Sequence, residues 1–222
     1  MLLVGFVSTA FAGKAELLVY RVKEPGVENY ISRILVTKEY LRLDDGGIPD
    51  GSYTLYDRRK KIIFNVDPEE QTVLEMVPPE FQPQLPESLV LNERLTVEVD
   101  APQVAGKQPQ KLLLKTNGET CRELVVVEDT LPQAMKGLTE LYQALARMQF
   151  PNIHAPGNNQ SDCELTEYVF APQRAYSHGL PLWDVMGGKQ RMLVDYKKDF
   201  SVDDELFSVP ENFQRVEPAA WK

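Results

Sequence analysis

The chain reads as a mainly β protein of the α+β kind, one large antiparallel sheet carrying a long amphipathic helix within a single domain. Three observations predict this. Apolar and polar residues alternate with period two from residue 15 to 77, broken by short polar turns. Further alternating runs follow a Pro-rich interruption at 78–90. One segment, Leu131 to Met148, instead repeats its apolar residues at intervals of three and four.

The elements follow in chain order. Met1 to Ala12 is apolar and ends in small residues with an Ala-x-Ala pattern, so it reads as the back end of a signal peptide, leaving 13–222 as the mature domain. No Lys or Arg precedes the apolar run, which places the expected start upstream of Met1; the competing reading is a buried first strand. Strands begin with Leu17 to Tyr20 and continue at Tyr30 to Val36, Tyr40 to Leu43, Tyr53 to Tyr56, Ile62 to Val66 and Thr72 to Val77. Their near-regular spacing predicts a meander. Pro78, Pro79, Pro83 and Pro86 donate no ladder hydrogen bonds, so 78–90 is expected to be a crossing loop. Strands resume at Leu95 to Val99, Lys111 to Lys115 and Arg122 to Val127.

Thr130 and Gln133 match a capping box at the start of the long helix, with Pro132 in its first turn and Pro151 beyond its end. Ser161 and Glu164 match a second box, opening a short helix over Asp162 to Phe170. The tail returns to strands at Leu180 to Val185 and Arg191 to Tyr196.

With 222 residues, 43% of them hydrophobic, the chain can bury one sizeable core. Its net charge of −9 argues against nucleic acid as a partner, because phosphate binding needs locally dominant Lys and Arg. The one basic run, Arg58 to Lys61, falls between two strands and reads as a solvated hairpin tip. Outside the first twelve residues no apolar run approaches membrane-spanning length, so the mature chain is expected to be soluble.

Chemistry-bearing residues are sparse. Cys121 and Cys163 are the only cysteines, and in an exported protein they are expected to pair, closing a loop of about 40 residues worth roughly 4 kcal/mol. His154 and His178 have no metal-ligand spacing, and Ser177 is adjacent to His178, a poor arrangement for a nucleophile and its base. Asp44, Asp45 and Asp50 miss the spacing of a calcium loop and suit a turn. We expect no catalytic residue, no metal and no cofactor.

The strand order, Pro-rich crossing and central helix, with Leu41-Arg42-Leu43-Asp44-Asp45-Gly46, Leu55-Tyr56-Asp57-Arg58, Gly179-Leu180-Pro181-Leu182 and Phe207-Ser208-Val209-Pro210, resemble the LolA-like group of bacterial envelope proteins. The resemblance implies an unclosed antiparallel β half-barrel covered by one long amphipathic helix and a short second one. In that group the covered face holds acyl chains in the lipoprotein carrier and its receptor, and serves a sensor in a related stress regulator. It therefore implies a periplasmic, non-enzymatic protein binding a lipid, acyl chain or lipidated partner between sheet and helix. The expected cavity residues are Ile62, Phe64, Val66, Leu74 and Met76 on strands, facing Met135, Leu138, Leu141, Tyr142 and Leu145 on the helix. The alternative is an interaction or sensor module with a filled core and no small ligand.

Overall fold

The computed structural model describes residues 12–46, 48 and 51–217. Strands β1 (Ala12–Lys23), β2 (Tyr30–Val36), β3 (Tyr40–Asp44), β4 (Tyr53–Asp57), β5 (Ile62–Asp67) and β6 (Thr72–Met76) form the expected antiparallel meander. Beyond the Pro-rich crossing lie β7 (Leu91–Val97), β8 (Gln110–Thr116) and β9 (Glu119–Val127). After the helices come β10 (Leu180–Met186) and β11 (Lys189–Asp203), and β11 returns to pair with β1. A short β12 (Gln214–Val216) adds parallel to β6. The result is one unclosed twelve-stranded sheet, an open half-barrel ending at β12 and β7. The expected signal segment lies outside the described residues, except Ala12, which begins β1.

Both faces of the sheet are used. On the helix side, Leu18, Tyr20 and Val22 of β1, Ile34 and Val36 of β2, and Leu112, Leu114, Leu124 and Val126 of β8 and β9 form one core with α1 (Pro132–Gln149). Leu138 and Leu141 of the helix are buried within it, each such Leu contributing roughly 1.5–3 kcal/mol. On the far side, Leu17, Leu35 and Leu55 form a second core with Val202 and Phe207. This core exists because the chain after β11 crosses the far face as a strap: a 3-10 turn at Asp204–Phe207, then β12 beside β6. Arg42 anchors the strap, donating from Nη1 to the Leu206 carbonyl at 2.9 Å and from Nε to Asp44 at 2.6 Å, with its guanidinium 3.7 Å from the Tyr53 ring centre.

Two expected caps have different outcomes. Ser161 and Glu164 form the full capping box of α2 (Asp162–Leu165). Thr130 and Gln133 do not cap α1: Leu131 is the N-cap residue, at φ 52°, and the Thr130 hydroxyl donates to the Glu128 carbonyl. Burial of Leu131 in the core offsets its left-handed backbone, which costs roughly 1–2 kcal/mol. The Ala134 N–H, one of the helix's orphan donors, is met from another element, donating to Glu16 Oε2 of β1 at 2.6 Å.

Beyond α2 the helix loosens into a π-helical turn at Thr166–Phe170, and a 3-10 turn at Pro172–Tyr176 leads toward β10. Gly179 makes the entry into β10. Its φ is 120°, and a Cβ there would stand 2.2 Å from the Val127 carbonyl oxygen, so only glycine permits this approach to β9.

Candidate functional site

The space beneath α1 is filled. Leu138, Leu141 and Ala144 are buried, Met135 nearly so, and Tyr142 and Leu145 pack partly buried against the same core. The expected strand partners divide between the two faces. Phe64 belongs to the far-side core with Leu55, and the register Leu55 to Phe64 and Tyr53 to Val66 puts Val66 on that face too; Ile62 shares it by alternation. Ile63 of β5 is the residue that faces the helix, together with Met76, whereas Leu74 shares Met76's face farther along β6. The expectation that Ile62, Phe64 and Val66 face the helix is therefore corrected. In β5 both faces are buried, so apolar character alone did not reveal which parity points inward.

A different cluster occupies the margin of the helix layer. On β10 and β11 the facing inward positions carry Asp184 and Arg191 instead of apolar side chains, and on β9 Arg122 sits one inward position along from Leu124, the register partner of Asp184. Arg122 forms a two-pronged pair with Asp184, Nε to Oδ1 at 2.7 Å and Nη2 to Oδ2 at 2.8 Å. Arg191 donates to Asp184 from Nε at 2.9 Å and also from Nη2, and reaches the Tyr176 hydroxyl at 3.3 Å. Burial would raise the Asp184 pKa, but Arg191 and Arg122 outweigh it and hold the carboxyl well below the usual range.

Glu167, on the π-helical turn, is the opposite case. Its side chain is 0% exposed, and neither carboxylate oxygen has a hydrogen-bond partner. The nearest charges are Nη1 of Arg122 and Nη1 of Arg174, each 3.5 Å away. Burial pushes its pKa up, more strongly than the two arginines pull it down. Arg174 donates from Nε to Glu93 and from Nη2 to the Asn92 and Lys115 carbonyls, while its Nη1, buried and without a hydrogen-bond partner, faces Glu167. His178 Nε2 lies 2.7 Å from Glu93 on the same edge, and the Ser177 hydroxyl donates to the Arg174 carbonyl at 2.9 Å.

The disulfide holds this arrangement together. Cys121 and Cys163 are bonded, as the sequence led us to expect. Cys121 immediately precedes Arg122, and Cys163 lies one helical turn before Glu167, so the bond fixes the helix layer against β9 beside the charges.

Between these elements opens a cleft of about 240 Å³ lined by Arg122, Tyr142, Glu167, Tyr168, Asp184, Met186, Lys189 and Arg191, with Pro172 at its wall. A carboxylate without hydrogen bonds beside guanidinium donors suits a ligand that both donates and accepts, while the tyrosine rings and Met186 supply apolar contact. The lining includes no Ser, Cys or His to serve as nucleophile or imidazole base. Among the described residues no group of three or more His, Cys, Asp and Glu converges as a metal site. Of the expected cavity residues, only Tyr142 reaches this cleft. Strand alternation held one overlooked signal: Arg122 two residues before Leu124, on an inward parity.

The basic run Arg58 to Lys61 does form a hairpin turn, yet Arg58 is not solvated. It donates to Glu140 of α1 at 2.7 Å and to the Thr37 carbonyl at 2.6 Å. Asp44 is likewise occupied, by Arg33, Arg42 and the Gly46 N–H, as a turn-supporting residue.

No family model matches the chain, and no curated protein matches its sequence. Among solved structures, an uncharacterised conserved protein from Thermus thermophilus aligns over 96% of this chain and 94% of its own, with a TM-score of 0.50 and 12% identity. At that identity the likeness is one of fold. PNGF-II, in two space groups, aligns with TM-scores of 0.40 and 0.41 at 11% identity; this chain spans 31% and 32% of those chains.

Proposed function

We propose that the chain is an exported, non-enzymatic module of the bacterial envelope, LolA-like in descent, that binds the polar head of a lipid or lipidated partner in the cleft at the margin of α1. The Cys121–Cys163 bond supports work in an oxidising compartment such as the periplasm. The observation that carries the reading is Glu167, buried without hydrogen bonds and lining the cleft. Leaving such a group unmet costs free energy, which a ligand hydroxyl or ammonium would recover. An acyl chain in the same place would desolvate Arg122, Asp184 and Glu167 without compensation, so the head and not the tail is the group recognised.

Native mass spectrometry of the protein isolated from the periplasm, with extraction of what it carries, tests this. A small polar or lipidic adduct is expected on the native chain and lost in Glu167→Gln. A clean chain that takes up no phospholipid or lipopeptide would favour the second reading, an envelope interaction or sensor module. The filled core under α1 supports that alternative.

A further inference from the structure

The strap divides the far face of the sheet into a covered half and an open half. Over β1 to β5 it buries Leu17, Leu35, Leu55 and Phe64. Toward β7 the same face carries no such layer among the described residues, and the register defines what it presents. Across β9, β10 and β11, Val125, Trp183 and Met192 stand directly opposite one another as an apolar stripe, with Met192 41% exposed and the other two half-buried.

Basic side chains frame this stripe. Lys111 of β8 is the register partner of Val125, and Arg21 of β1 is the partner of Met192, so the row ends in a cation on each side. In the flanking rows, Arg94 is opposite Leu113, Lys115 opposite Asn92, and Lys23 opposite Gln190, each on the same face by alternation. Two acids interrupt the frame: Glu123, paired with Lys111 at 3.2 Å, and Asp195 of β11, the register partner of Val19. In a chain with 33 acidic and 24 basic residues, this concentration runs against the overall balance.

We propose that this open half of the far face docks on the surface of a bilayer containing anionic lipids. The chemistry matches on both counts. Lys and Arg at the surface of an anionic leaflet are attracted to its headgroups, and their aliphatic stems lie along the apolar stripe. Tryptophan favours the headgroup level because its ring is apolar and its N–H polar. No helix of the described residues is long and apolar enough to cross a membrane, and this docking needs none. The surface is separate from the Glu167 cleft, which lies on the helix side, so either can fail without the other.

The full chain tests it with large unilamellar vesicles of phosphatidylcholine containing none or a third phosphatidylglycerol. Co-sedimentation is expected only with the anionic vesicles and should weaken with added salt, as charge attraction is screened. Replacing Arg94, Lys111 and Lys115 by Glu should weaken it by at least roughly fivefold per charge. The control Arg59→Glu with Lys60→Glu, on the β4–β5 turn, should bind like the native chain. Thermal melting and intact disulfide show that the variants are folded.

The chain has two tryptophans, so Trp221→Phe leaves Trp183 as the reporter. Its emission should shift to the blue on phosphatidylglycerol vesicles and be quenched by brominated lipid. Equal binding to both vesicle types, undiminished binding of the triple variant, or an unchanged Trp183 spectrum would each overturn the proposal.

Discussion

Arg122 of β9 reaches diagonally past Leu124 to Asp184 of β10 and bonds it through two hydrogen bonds, of 2.7 and 2.8 Å, with both side chains almost wholly buried. Such a pair is weak evidence of net stabilisation, because both charges have lost their water. Breaking it is another matter. Arg122→Met should lower stability by about 3–5 kcal/mol in urea unfolding, since it leaves Asp184 buried with Arg191 alone, whereas the triple variant Arg122→Met, Asp184→Leu, Arg191→Met should recover much of the loss. If the triple variant is no better than the single, the three charges are not the energetic unit described.

Glu167 gives a pH-dependent outcome of opposite sign to an ion-paired acid. Its pKa is raised in the folded chain, so between the ordinary carboxylate value and the raised one the unfolded chain is ionised while the folded chain holds the proton. Its contribution to stability therefore falls as pH rises through that window and is worst above it. Glu167→Gln should raise the melting temperature at pH 7.5 more than at pH 4. A larger gain at pH 4 would refute the assignment. Stabilisation here with loss of the adduct above would separate a binding role from a packing one.

Reduction of Cys121–Cys163 releases a loop whose ends are 42 positions apart in sequence, worth about 4 kcal/mol in the chain-entropy description. The paired replacement Cys121→Ser, Cys163→Ser should lower stability by roughly this amount. Hydrogen exchange should quicken first at Asp162–Leu165 and Thr166–Phe170, which the bond holds against β9. Uniform loosening of the sheet instead would show that the bond supports the whole fold and not this layer.

The far-side strap depends on Arg42. Arg42→Met removes the hydrogen bond to the Leu206 carbonyl and the stacking on Tyr53, and leaves Asp44 with Arg33. A loss of about 2–3 kcal/mol is expected, with limited proteolysis moving to 204–216. An unchanged digestion pattern would mean that Phe207 packing against Tyr40, ring centres 5.9 Å apart, holds the strap without Arg42.

The sequence was legible wherever the controlling interaction is local. Alternation located β2 to β6 of the meander to within a residue or two, the 3.6-residue repeat located α1, and the Ser161–Glu164 box formed because its partners are three residues apart. The disulfide was inferable from two cysteines and the export that the apolar opening residues led us to expect. Tertiary structure decided the rest. Ile63 faces the helix and Phe64 the far core because the strap covers the far face, making both parities apolar and erasing the signal that alternation normally carries. Thr130 lost its cap because Glu16, distant in sequence, meets the helix end while Leu131 is drawn into the core. The charges of the cleft sit on three strands and a π-helical turn; their juxtaposition depends on register and on one disulfide, so only the folded chain brings them together.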